Sequence, residues 1–192
     1  MNSQIGEGLV KMRPVEKLPY SDDLLKETGI GQFGYISTSE IVFGDEIRKI
    51  CEGNVCRQYG ASWACPPAVG IYEQCRSQCL SYDNAFVFNA IYPLEDSFDF
   101  EGMKRGHQDF KDVCDRLFRL VKSDIPRFLI LSNEGCTRCE RCTYPDLPCK
   151  IPDMLFPSVE GFGIYVNKLA ASANIGYINV INTVTYFGLL LY

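Results

Sequence analysis

The chain has a single histidine and a single tryptophan in 192 residues, no basic tail or stripe, and no apolar run able to cross a bilayer. Each absence excludes a class of function. The lone His107 lacks the second member that a metal pair or an acid–base pair needs, so it reads as a surface or packing residue. With 19 basic against 24 acidic side chains and a formal charge of −5, nucleic acid is not the expected partner. The longest apolar run, Tyr186-Phe187-Gly188-Leu189-Leu190-Leu191-Tyr192, is far shorter than the roughly 20 residues of a helical span, so no membrane partner is expected. The N-terminus Met-Asn-Ser-Gln-Ile-Gly-Glu-Gly has neither the basic nor the apolar region of a secretory signal, which predicts a cytoplasmic protein with reduced thiols. No Walker loop, zincin helix or nucleophile elbow occurs, which lowers the expectation of an enzyme without excluding one that depends on a metal cluster.

What the chain has in abundance is cysteine, ten residues in all. Four fall in the segment Cys136-Thr-Arg-Cys139-Glu-Arg-Cys142-Thr-Tyr-Pro-Asp-Leu-Pro-Cys149. Three thiolates share one tight loop, and a fourth returns after two prolines. Tetrahedral zinc usually takes two well separated ligand pairs, whereas three closely spaced cysteines suit three corners of an iron–sulfur cube. An iron–sulfur cluster, of the 4Fe-4S kind, is therefore the first reading and zinc the alternative.

Cys51, Cys56, Cys65, Cys75 and Cys79 form a second group, and Cys65 heads a Cys-Pro-Pro turn. A proline after the last ligand cysteine also ends the ligand run of bacterial ferredoxins. Two sites of four would use eight of the ten cysteines. Cys75 and Cys79 share a face if their stretch is helical; Cys75 is taken as the ligand and Cys79 as its neighbour. Cys114 falls on an apolar helical stripe and reads as a small buried hydrophobe. A disulfide framework is disfavoured by the missing secretory signal and because a chain this long hides about 70% of its unfolded surface without staples.

The length predicts one domain over residues 1–192, with the first cysteine set at 51–79 and the second loop at 136–149. Ser21 to Thr28 reads as a short helix with Ser21 as N-cap, Asp22 and Asp23 in its first turn and Gly29 as the stop. Gly29-Ile-Gly31-Gln-Phe-Gly34 matches a dinucleotide fingerprint literally, but it follows a helix and leads into strand-like Tyr35–Thr38 and Glu40–Phe43, so its glycines read as turn residues. Tyr82 to Tyr92 suits a buried strand. Met103, Phe110, Val113, Cys114, Leu117, Phe118 and Val121 recur at helical spacing, and Phe128 to Leu131 forms a short strand into the Cys136 loop. Ser158 reads as the cap of a helix carrying Val159, Phe162, Gly163, Val166, Leu169, Ala170 and Ala173 on one face, ended by Gly176. Tyr177–Ile181 and Val184–Tyr192 read as a terminal strand pair. The sum is an α+β fold, a mixed sheet with helices on one face and the cysteine-rich metal-binding loops as insertions outside that core.

Tyr59, Trp63 and Tyr144 neighbour the cysteines and are candidates for an apolar lid over a cluster, against ordinary packing as the alternative. Arg57, Arg76, Arg138, Arg141 and Lys150 lie beside or between the cysteines, where positive charge favours thiolates; for any one of them a solvated rim is the simpler reading.

Taken together, Ile41-Val-Phe-Gly-Asp45, Cys51 and Cys56 followed by Arg-Gln-Tyr59-Gly60, Cys65-Pro66-Pro67, the Gly135-Cys136 loop, Cys149-Lys-Ile-Pro152 and Pro157-Ser158-Val-Glu160-Gly-Phe-Gly163-Ile-Tyr-Val166 resemble the cysteine-rich predicted metal-binding proteins grouped as domain of unknown function 2284. The similarity runs from about Glu40 to the end of the chain. The resemblance implies a soluble protein of the kind found largely in anaerobic microbes, binding metal or iron–sulfur clusters without a settled reaction. By position it implies Cys51, Cys56, Cys65, Cys136, Cys139, Cys142 and Cys149 as ligands. Three functions then compete: an electron carrier serving a redox protein partner, a cluster enzyme with one iron lacking a cysteine, and a structural zinc protein. The oligomeric state is not legible.

Overall fold

Residues 14–192 are described by the computed structural model. The Ser21 hydroxyl accepts from Leu24 N at 3.3 Å and caps helix α1 (Asp22–Glu27), with Asp22 and Asp23 in the first turn as the helix dipole favours. Gly29 stops the helix in the left-handed region at φ 93. The chain then enters strand β1 (Gln32–Ser37), so the glycine-rich stretch is a helix-to-strand turn.

Strands β2 (Asn84–Pro93), β3 (Leu129–Leu131) and β4 (Thr183–Leu191) join β1 in a sheet of order β1-β2-β4-β3. All three ladders are antiparallel, with Ala85 opposite Leu191, Phe88 opposite Gly188 and Ile130 opposite Leu190. The α+β class holds, whereas the mixed sheet of the sequence reading does not. Among the described residues the parallel contribution is confined to one isolated bridge, Ser132 to Ser158.

Both faces of the sheet are covered, not one. Phe86, Phe88 and Ala90 of β2 pack with Phe110, Val113, Cys114 and Leu117 of helix α4 (Phe100–Val121). Ala85 and Val87, pointing the other way, pack with Phe162, Ile164, Leu169 and two cysteines, Cys75 and Cys79. Successive side chains on a strand face opposite sides, so burial of every residue from Ala85 to Ala90 requires two cores. Asn89, within that run, is fully buried and stitches β1 to the C-terminal segment: its amide donates to Gln32 Oε1 at 3.1 Å and Gly176 O at 3.3 Å.

The second face carries helices α2 (Asp45–Glu52), α3 (Tyr72–Cys79) and α5 (Val166–Ser172) with the loops that bear the cysteines. Here the predicted helix from Ser158 divides. Glu160–Phe162 is a single 3-10 turn, Gly163 takes φ 75, and the α-helix begins only at Val166. Ser158 does act at the start of the turn, its hydroxyl accepting from Gly161 N at 3.0 Å. Glu40–Phe43 is likewise no strand: Thr38–Glu40 is a 3-10 turn and Phe43 makes one bridge to Ile164. Tyr177–Ile181, predicted as a strand, lies outside the sheet with Ile178 86% and Ile181 89% exposed.

Candidate metal centre

The Cys136 loop is closed at its base by backbone. Ser132 N donates to Pro157 O at 2.8 Å, and Val159 N donates to Ser132 O at 2.8 Å. This pins the two ends of a segment that otherwise contains only turns and one 3-10 helix, Pro152–Met154. Within it Cys136, Cys139, Cys142 and Cys149 all line one cavity, together with Trp63, Ile151 and Leu155. The four cysteines that the spacing groups are therefore brought together. Trp63 Nε1 donates to Leu147 O at 3.2 Å, and its ring meets Tyr144 edge to face at 5.0 Å. Two of the three proposed lid aromatics thus pack on each other beside this loop.

Arg138 is not a solvated rim. Its side chain is 17% exposed, donates to both carboxylate oxygens of Asp115 on α4 and to Met154 O at 2.6 Å, and lies 4.9 Å from the Phe156 ring. The charge it brings near Cys136 is already paired. Burial pushes the Cys136 thiol up, while Arg138 and Lys111 pull it down.

In the first set, Cys51 at the end of α2, Cys56 in the turn that follows, and Cys65 of the Cys-Pro-Pro turn line a second cavity of about 280 Å³. Tyr59, the third proposed lid residue, lines it as well, with Glu134 and Glu160. Burial raises Cys65 to about 11, and the Ser158 hydroxyl beside it, 3.9 Å from its sulfur, partly opposes that rise. Since the thiolate is the ligand form, a cation entering here must displace protons.

Cys75 does not line this cavity. It is 1% exposed in the core under the sheet, where its thiol donates to Val69 O at 3.3 Å and lies 3.5 Å from Arg48 Nη1. Arg48 itself donates to Gly161 O at 2.6 Å and Gly70 O at 2.7 Å, latching α2 to both neighbouring loops. Cys79 is fully buried, its thiol raised to about 12 by burial. Both sit on α3, as the four-residue spacing requires, but they face the core. Cys114 is where helical spacing puts it, fully buried on α4 with its sulfur 3.4 Å from Ser132 Oγ. All ten cysteines are free.

Sequence reasoning misses the ionisable groups between the two sets. Glu134 and Glu160 are far apart in the chain, and no spacing rule links them. Glu160 is raised by burial. Lys111, on α4, is 8% exposed and donates to the Asn133 carbonyl and to Ser132 Oγ at 3.2 Å; burial lowers its pKa. His107, one turn earlier, lies 3.9 Å from Glu134 Oε2 and has no hydrogen bond at its buried Nε2 among the described residues. It is a packing residue against Tyr186, ring centroids 5.7 Å apart.

Thiolate donors of this kind fit either a zinc ion or an iron–sulfur core. Four sulfurs around one tetrahedral zinc, at about 2.3 Å from the ion, come within about 3.8 Å of one another. Among the described residues no three His, Cys, Asp or Glu side chains form a single-ion group. A multi-iron core takes its thiolates at separate corners and needs no such convergence. The space inside the Cys136 loop is about 20 Å³, less than such a core fills. The loop has no α-helix or strand ladder of its own to prevent its sulfurs from spreading around such a core or closing on a single zinc ion.

An antiparallel α+β scaffold that presents two groups of free cysteines on adjoining loops defines a cysteine-rich protein equipped to bind metal. The family comparison agrees: residues 34–192 match the model for DUF2284, described as predicted metal-binding protein, and the chain belongs to that family. No curated protein and no solved structure matches it. Among the described residues no helix is long and apolar enough to cross a membrane.

Proposed function

We propose that this chain is an iron–sulfur redox protein of the reducing cytoplasm. In this reading Cys136, Cys139, Cys142 and Cys149 hold one 4Fe-4S cluster. Cys51, Cys56 and Cys65 hold a second centre whose remaining position is not a cysteine and faces the 280 Å³ cavity. When bound, such clusters supply one-electron chemistry at potentials set by burial and by hydrogen bonds to sulfur.

The observation that carries the proposal is the contiguity of the two thiolate sets. Glu134 lines the 280 Å³ cavity and Cys136 the cavity of its own loop, and two residues of chain reach at most about 7 Å. Trp63 and Cys65 repeat the relation on the opposite strand of loop. Ser158 N donates to Ala64 O at 2.9 Å between them, and the Gln58 side chain occupies the space a Cβ on Gly135 would need. Two centres so placed favour electron transfer from one to the other. The chain's own residues shield the Cys136 loop with Trp63, Tyr144 and Leu155, and anchor it through Arg138. A redox protein partner exchanges electrons at that loop. The three-cysteine composition of the Cys51, Cys56 and Cys65 set favours a redox reaction on a small molecule there over simple relay.

Paramagnetic resonance of the anaerobically purified, reduced protein tests this. Two signals are expected, one lost in Cys139→Ser and the other in Cys56→Ser. One signal removed equally by either change would contradict a two-centre protein.

A further inference from the structure

Glu134 and Glu160 also line a different, open cavity of about 540 Å³, whose other walls come from Ile47 of α2, Asn133, residues 164–167 at the start of α5, β4 and the segment before β4. We propose that this cavity binds a small organic amine that also carries a carbonyl oxygen. Its volume falls within the range of small-molecule sites. Among the described residues the lining contains those two carboxyl side chains and no lysine or arginine; burial raises Glu160, but Glu134 is half exposed, so the lining disfavours anions and favours a cation. Lys111, a buried ammonium that does not line the cavity, is held by Ser132 Oγ and the Asn133 carbonyl.

The second, independent sign of a ligand is Asn133. This residue lines the cavity and is 4% exposed, and its side-chain nitrogen has no hydrogen-bond partner among the described residues. Its side-chain oxygen is already used, accepting from Ser132 Oγ at 3.3 Å. A buried donor left unpaired is costly, and a ligand carbonyl would satisfy it. Aromatic rings complete the match. Tyr177 stacks on Phe187 at 5.6 Å, and Tyr186 is fixed by donation from its hydroxyl to Met103 O at 2.8 Å; such faces attract ammonium groups. Val180, 72% exposed on the rim, offers apolar contact to the ligand's body. Because Glu134 and Glu160 are shared, a molecule bound here lies beside the Cys51, Cys56 and Cys65 cavity. Its binding nonetheless does not require those cysteines to hold iron.

Calorimetry on the full chain at low salt, with L-phenylalaninamide as probe, tests the proposal whatever the iron content. The amine should bind about tenfold or more tightly than 3-phenylpropanamide, which lacks the ammonium, since a charge-assisted hydrogen bond is worth at least that factor. Glu134→Gln should remove most of the difference. At the exposed rim, where folding is not at risk, Val180→Arg should weaken the amine several-fold and Val180→Glu should not. Equal affinity for the two compounds, no heat from either, or indifference to Val180→Arg would each overturn it.

Discussion

Arg138, inside the Cys136 loop, donates to both carboxylate oxygens of Asp115 on helix α4, with Nη1 to Oδ2 at 2.9 Å. The loop that carries four candidate ligands is thereby tied to the most regular element of the fold. Both side chains are mostly buried, 17% and 15% exposed, so removing one partner leaves the other charge poorly solvated. Asp115→Asn should cost about 2 kcal/mol in a denaturant melt, between the values for exposed and fully buried pairs. It should also lower iron bound at the loop while sparing the first set. Unchanged stability and unchanged iron would show that the clamp is incidental.

Cys75 and Cys51 lead to opposite expectations. Cys51→Ser, Cys56→Ser and Cys65→Ser should each reduce iron per chain. Cys75→Ser should leave iron intact and cost about 1–2 kcal/mol, because a hydroxyl replaces a thiol in a buried core while keeping a donor for Val69 O. Iron analysis beside thermal melts checks this. Iron loss from Cys75→Ser equal to that from Cys51→Ser would return Cys75 to the ligand set.

That contrast shows how far the sequence could be read. Spacing placed Cys75 and Cys79 on one helical face but could not say whether the face meets a metal or the core. Local pattern served well where one element decided it: the stripe from Met103 to Val121 became α4, and Ser21 with Gly29 bounded α1. It failed where the backbone broke under a continuous pattern. The apolar spacing from Val159 to Ala173 runs unbroken, yet Gly163 at φ 75 divides it. In Tyr177–Ile181 the β-branched residues suggest a strand, but the segment forms the exposed rim of a cavity instead. The unalternating run Ala85-Phe-Val-Phe-Asn-Ala90 already signalled a strand buried on both faces, which a one-sided sandwich does not allow. Glu134 and Asn133 had no signal, and Glu160 stood only as a member of a motif behind the family resemblance, because only the tertiary fold brings the three to a shared wall.

Burial, and next the charge of Lys111, hold the His107 imidazole at about 4, below its ordinary 6.5. Above about pH 6.5 the residue is neutral in both the folded and unfolded chain, and its favourable packing is fully available. As pH falls from 6.5 toward 4 the unfolded chain takes a proton that the folded one refuses, so stability declines across that window. His107→Phe keeps a ring against Tyr186 and should flatten the decline. Denaturant midpoints at pH 7.5, 6 and 5 measure it; parallel loss in both proteins would contradict the assignment.

Trp63 is the one tryptophan of the chain, and it lines the Cys136 cavity. A broadly absorbing cluster there should quench its emission strongly by energy transfer, while zinc, which absorbs no visible light, should not. Anaerobic loading with iron and sulfide should dim the fluorescence, and Cys142→Ser should restore most of it. Full emission from iron-loaded protein would place the iron away from this loop.

The most direct measurement is the metal and sulfide content of protein purified without oxygen. The account predicts a brown preparation with broad visible absorption that bleaches on reduction, containing iron and acid-labile sulfide in comparable amounts. A colourless preparation holding stoichiometric zinc and no sulfide would contradict it, and would make the cysteine loops structural zinc sites.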